Sequence, residues 1–91
     1  MATIKVNSTV MREKASTLKT ISSSVSSITT DALTEINSLR SYWEGSAAEN
    51  YVTSFKALSS KFEEISKTIK EYATFLDNAA YIYEKNENAN S

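Results

Sequence analysis

Two adjacent carboxylates, Glu63 and Glu64, are where acid–base chemistry would first be sought in this chain. Neighbours on a helix diverge by about 100°, so the pair does not converge on one substrate. The sequence contains no His and no Cys. That removes the commonest general base, the usual partner of a nucleophilic Ser, the commonest metal ligand and every thiolate site. The many Ser residues therefore have no base to activate them, and there is no Gly-rich loop to cradle a phosphate and no Lys set in an apolar pocket. The expectation is a protein that is not an enzyme, holds no cofactor or metal, and acts by binding.

Composition narrows the partner. The 91 residues carry ten basic and eleven acidic side chains, a formal charge of −1, and lysines alternate with glutamates without forming a stripe. Nothing here attracts nucleic acid, and no excess of positive charge points to anionic lipid; contact with a membrane is left open. The start, Met1 to Thr9, lacks the apolar segment of a secretory signal peptide, and the longest apolar run, Ala79 to Tyr83, is far short of the roughly twenty residues that span a bilayer. The chain is expected to be soluble where it is made and not to use the general secretion route.

The residues left to carry recognition cluster at one break. Ser41 to Glu49 holds the only Trp and the only Gly of a chain without Pro. Gly45 is the one position able to take a positive φ at little steric cost, so a first helix is predicted to end there with Gly45 as its C-cap. Ser46 and Glu49 have the spacing of a capping box that would open a second helix.

Upstream, Asn7 and Ser8 are N-cap candidates for a helix over about 8–42. Met11, Leu18, Val25, Ala32 and Leu39 fall seven apart, and Ile21 and Ile28 hold the complementary position, while Ala15 and Ile36 widen the stripe. Ser22 to Thr30 is so rich in hydroxyls that composition alone would make it a flexible linker. Ile21, Val25 and Ile28 nevertheless keep helical spacing through it, and the prediction is helix, with small hydroxyl side chains beside the seam letting two helices approach closely.

The second helix is predicted over about 46–85. Ala48, Phe55, Phe62, Ile69, Leu76 and Tyr83 share one heptad position, and Tyr51, Leu58, Ile65, Tyr72 and Ala79 the other. Phe55, Leu58, Phe62, Ile65, Ile69 and Tyr72 are thus the expected core or dimer seam. Val52, Ala73 and Ala80 broaden the stripe beyond what a single partner helix covers. Residues 86–91 have no apolar periodicity and are expected to be a disordered tail. The fold class is all-α: one helix-turn-helix hairpin over 1–91, with the turn at 43–45, forming an antiparallel dimer that makes a four-helix bundle.

Trp43-Glu44-Gly45 at mid-chain, Ala47, Ala48 and Tyr51 after it, Ala15 in the first helix and the ending Tyr83-Glu84-Lys85-Asn86-Glu87 together resemble the W-x-G family of small secreted proteins, similar to the early secreted antigenic target proteins of type VII (Esx) secretion. The resemblance covers essentially the whole chain. It implies export from a bacterial cytoplasm to the cell surface or beyond without a cleaved signal peptide, with an FtsK/SpoIIIE-type ATPase as receptor. It also implies that Tyr83 and Glu87 match the family's signal, Y-x-x-x-[D/E], with Glu where Asp is more usual. Trp43 and Gly45 also read as an apolar plug and a helix cap, and Tyr83 as a seam residue, roles compatible with signalling. The partner is expected to be a second copy or a related small helical protein. Two other readings stand beside this one: a helper pairing with the helical leader of a larger exported toxin, and a cytosolic coiled-coil adaptor.

Overall fold

The computed structural model describes residues 7–90, and for 87–90 the backbone alone. Helix α1 covers Ser8–Ser38 and helix α2 covers Ser46–Asn90; a single 3-10 turn, Leu39–Ser41, lies between them. The helices run antiparallel as a hairpin, a rod 69 Å long and 21 by 15 Å across.

Asn7 starts α1 as its N-cap: its backbone is extended and its side-chain oxygen accepts the Val10 N–H at 3.1 Å, which satisfies one of the free donors of the first turn. The hydroxyl-rich stretch is helical throughout. Two of its side chains fold back on their own helix, Thr29 donating to the Val25 carbonyl at 2.7 Å and Thr30 to that of Ser26 at 3.0 Å. Hydroxyls that compete with the helix in an unfolded chain are here absorbed by it.

At the break α2 starts at Ser46 as expected, but α1 stops short of the expected position 42. Regular helix ends at Ser38, and the chain tightens so that the Tyr42 and Trp43 N–H groups both donate to the Leu39 carbonyl, at 2.9 and 2.8 Å. Gly45 does take positive φ, +121°, but as the residue leading into α2, its carbonyl accepting the Glu49 N–H at 3.1 Å, and not as a cap of α1. The capping box gives way to an ion pair: the Glu49 carboxylate accepts from Arg40 across the turn at 3.1 Å. At the other end α2 continues to Asn90, past Lys85 where a disordered tail was expected. No Gly or Pro stops it, and backbone bonding propagates a helix without needing an apolar face.

Three neighbouring heptad rows of α2 organise the rest. Val52, Ser59, Ser66, Ala73 and Ala80 are buried, facing Ala15, Ser22 and Thr29 of α1. The interior of the hairpin is therefore a seam of small side chains, and among the described residues no large one is fully buried. At its middle the helices are tied by a reciprocal pair. The Ser22 hydroxyl donates to the Ser66 carbonyl and the Ser66 hydroxyl to the Ser22 carbonyl, each at 2.7 Å, with the two oxygens 2.9 Å apart.

To one side of this seam lies a charged edge. Arg12 grips Glu84 with two bonds of 2.8 Å, Lys19 meets Asp77 at 2.6 Å, and Ser26 donates to Glu63. On the other side lie the large apolar rows, Phe55, Phe62, Ile69, Leu76 and Tyr83 of α2 beside Met11, Leu18, Val25, Ala32 and Leu39 of α1. The residues expected as the seam are here, on the flank of the hairpin and not within it: Phe62 is 37 % exposed, Tyr72 56 % and Ile28 68 %. Small residues win the interior because they let the backbones approach closely enough for the serine pair to bond.

Candidate functional site

The W-x-G turn builds a pocket. Because the 3-10 turn bends the chain back over the start of α2, Trp43 comes to lie against Tyr51, ring centroids 5.8 Å apart and tilted by 36°, a spacing at which aromatic pairs attract. Ile36, Leu39, Ala48, Val52 and Phe55 complete a cavity of about 330 Å³, with Arg40 as its one charged lining residue. Trp43 remains 44 % exposed and the preceding Tyr42 stands almost wholly in solvent. A Cβ on Gly45 would meet nothing within 4 Å, so glycine is required there by the backbone angle alone and not by space.

The pocket opens onto the apolar flank, which continues along the rod as two further grooves. One of about 390 Å³ lies between Val25, Ile28 and Ala32 of α1 and Phe55, Phe62 and Ile65 of α2; another of about 360 Å³ is formed by Val10, Met11, Leu18, Tyr72 and Leu76. Of the six seam residues named from the sequence, Phe55, Phe62, Ile65 and Tyr72 line these grooves. Leu58 is exposed and Ile69 half-buried.

Tyr83 is half exposed near the far end of α2. Forty residues of helix at 1.5 Å each separate it from Trp43 by ~60 Å, so one chain does not bring the turn and the tail together. The Glu87 side chain lies outside the described residues; its backbone is helical. Next to Tyr83, Glu84 is fixed by Arg12, whose hydrogen bonds hold that carboxyl below the ordinary glutamate range, while Glu84 raises the guanidinium in turn. The end of α2 is thereby pinned to the start of α1.

The candidates for chemistry are dispersed. Glu63 accepts from Ser26 and Glu64 is exposed. Among the described residues no group of three or more Asp and Glu is placed to hold a metal ion, and none of the helices described is long and apolar enough to cross a membrane. Sequence reasoning missed the charged edge, and it set the small residues beside the seam where the structure makes them the interior, although both rows repeat every seven residues. Ser22, Ser59 and Ser66 stand in phase with Ala15, Ala73 and Ala80, a pattern hidden from any reading that scores hydrophobicity, since Ser and Ala score low.

A comparison with curated proteins finds no match. Residues 3–88 match the WXG100 family, described as proteins of 100 residues with WXG, and that span includes the turn pocket, both apolar rows and the Tyr83 end of α2. A Trp half exposed in a pocket built by a W-x-G turn, on a helical hairpin matched almost end to end, places this chain in the WXG100 family.

Proposed function

We propose that this protein is exported by a type VII secretion machine, without a cleaved signal peptide, as a folded dimer that acts by binding and not by catalysis. Membership of the WXG100 family is consistent with a small helical protein associated with that route. The observation that carries the finer reading is the apolar flank. A rod this thin presents Phe62, Ile65, Tyr72 and Ile28 to solvent along one side, and large apolar side chains exposed together are the mark of an interaction surface. A second copy related by a two-fold axis covers it and completes a four-helix bundle.

In that antiparallel dimer the W-x-G turn of one subunit lies beside the Tyr83 end of the other, which a single chain keeps ~60 Å apart. The export label is then composite, Trp43 and Gly45 from one chain with Tyr83 and Glu87 from its partner, read by an FtsK/SpoIIIE-type ATPase. The same flank would also accept the helical leader of a larger exported toxin, and pull-down from producing cells distinguishes that helper role by what is recovered with the protein.

Export assays test the composite label. Trp43→Ala and truncation after Lys85 should each block export while the hairpin stays folded, because one trims a half-exposed side chain and the other ends the chain beyond the Arg12–Glu84 pair. Coexpressing the two defective versions with different tags forms mixed dimers in which one complete label survives, and their export should be restored. If mixed dimers form and remain inside the cell, the label is not assembled in trans.

A further inference from the structure

We infer that Lys14 and Glu35 select a second copy of this chain as the partner that covers the apolar flank, and that they fix it in one antiparallel alignment. The inference rests on the dimer proposed above and gives it a determinant. Along the outward row of α1 stand Lys14, Ile21, Ile28 and Glu35, seven apart. Both isoleucines are exposed. Lys14 lines the groove nearest the start of α1, and Glu35 is exposed one heptad beyond Ile28, which lines the middle groove. Charges so placed are costly to cover unless the covering surface pairs them.

Within one chain they have no partner. Arg12, Lys19 and Arg40 each meet an acid of α2 and Lys67 lies by Glu71, whereas among the described residues Lys14 and Glu35 make no ion pair. Three heptads separate them, ~30 Å along the helix, so they do not reach each other.

A two-fold axis across the rod lays α1 on the partner's α1 with its direction reversed, so each row meets itself end for end. The outward row then sets Lys14 against the partner's Glu35 and Ile21 against the partner's Ile28, and symmetry repeats both contacts on the other side of the axis. That axis passes midway between Ile21 and Ile28, at the level of the middle groove. It lies close to the centre of α1, Ser8–Ser38, so the two helices overlap over nearly their whole length. The matching row of α2, Tyr51, Leu58, Ile65 and Tyr72, is apolar throughout; it is covered in this alignment without choosing it.

Other alignments strand the charges. Slipped by one heptad either way, Lys14 meets the partner's Ile28 or the partner's Tyr42. An axis along the rod, with both turns at one end, lays α1 on the partner's α2 instead. Since Ser22 stands opposite Ser66, Lys14 and Glu35 then come level with the partner's Tyr72 and the partner's Tyr51, which carry no charge. Arg12, Lys19, Asp77 and Glu84 lie on the opposite edge of the hairpin and are paired there. Asp31, exposed one turn before Glu35, adds a second acid at the end of α1 that faces Lys14.

Sedimentation of the full-length protein reads the dimer constant, and circular dichroism checks that substitutions at these exposed positions leave helix content unchanged. Lys14→Glu sets like charges together at both ends of the interface and should weaken the homodimer by about tenfold or more. Glu35→Lys should weaken it less, because Asp31 still faces Lys14. The double variant, Lys14→Glu with Glu35→Lys, exchanges the charges and should restore most of the affinity. The two single variants, mixed with different tags, should form a heterodimer in preference to either homodimer, since one chain then carries Glu at both positions and the other Lys. A dimeric wild type whose single variants are unchanged in affinity, or whose weakened variants are rescued neither by the double exchange nor by mixing, overturns the inference and leaves the dimer standing. A wild type that stays monomeric overturns both.

Discussion

The two sides of α2 obey opposite rules. The row facing α1 is made of Val52, Ser59, Ser66, Ala73 and Ala80, small and buried, whereas the row beside it, Phe55 to Tyr83, carries most of the helix's hydrophobic mass and stays partly in water. In a self-sufficient domain the large side chains would be innermost. Here the small row brings the two helices together and the large side chains lie on the flank, partly in water. Hydrophobic burial is worth roughly 25 cal/mol per Å², and an interior of alanines and serines offers little of it.

The largest effect should come from charging the flank. Phe62→Glu puts a carboxylate in the middle groove, where a covering partner would have to desolvate it. We expect loss of association, with several kcal/mol of apparent stability lost along with it. Sedimentation of wild type and variant, with melting at several protein concentrations, tests this. A wild type that melts at a concentration-independent temperature as a fully helical monomer would mean that the small seam suffices, and the contrast between the two rows would lose its meaning.

A smaller effect is expected from overfilling the seam. Ala73 is fully buried, and Ala73→Leu must push the helices apart, costing about 1–3 kcal/mol. Unlike the flank variant, it should lower the melting temperature while leaving the flank's apolar character intact, and it should weaken the Ser22–Ser66 pair seven residues away. If it instead stabilises the protein, the seam holds unfilled space and close approach of the helices is not what the small residues provide.

Much of this was legible in the sequence, for definite reasons. Heptad spacing of large apolar residues is a strong signal, so both helices and the apolar flank could be read, and a lone Gly in a chain without Pro marked the turn. What could not be read was which of two adjacent rows is inside. Hydrophobicity ranks Phe62 above Ser66, yet the choice is made by how closely two backbones approach, and that depends on size and on hydroxyl protons finding a carbonyl on the other helix. The boundaries at Ser38 and Asn90 depended on similar local competition: a 3-10 turn ahead of the expected cap, and a helix extending because nothing stops it. Of the site, Trp43 and Gly45 were legible from their rarity, whereas the pocket partners Ile36 and Arg40 come from the far side of the turn and carry no local signal.

The charged edge gives the smallest expected effect and separates it from the seam by pH. Glu84 has its carboxyl held low, chiefly by the hydrogen bonds from Arg12. A carboxylate whose pKa is depressed by folding contributes stability that is present above its unfolded value and is lost as pH falls through the folded value. Arg12 is raised by the same partner, so the pair's contribution goes when Glu84 takes up a proton in acid, and the guanidinium itself gives up its charge only at strongly alkaline pH. The Ser22–Ser66 pair has nothing to titrate. Both ends of the Arg12–Glu84 pair are solvent-exposed, so its share of stability is modest and screened by salt. Glu84→Gln should therefore melt slightly below wild type at neutral pH and low salt, and the two curves should converge as the medium is acidified below the ordinary glutamate range. They should also converge at neutral pH when salt is raised. A difference that survives both treatments would mean that Glu84 acts by packing the end of α2 against α1, which would make the edge a second seam and not an electrostatic one.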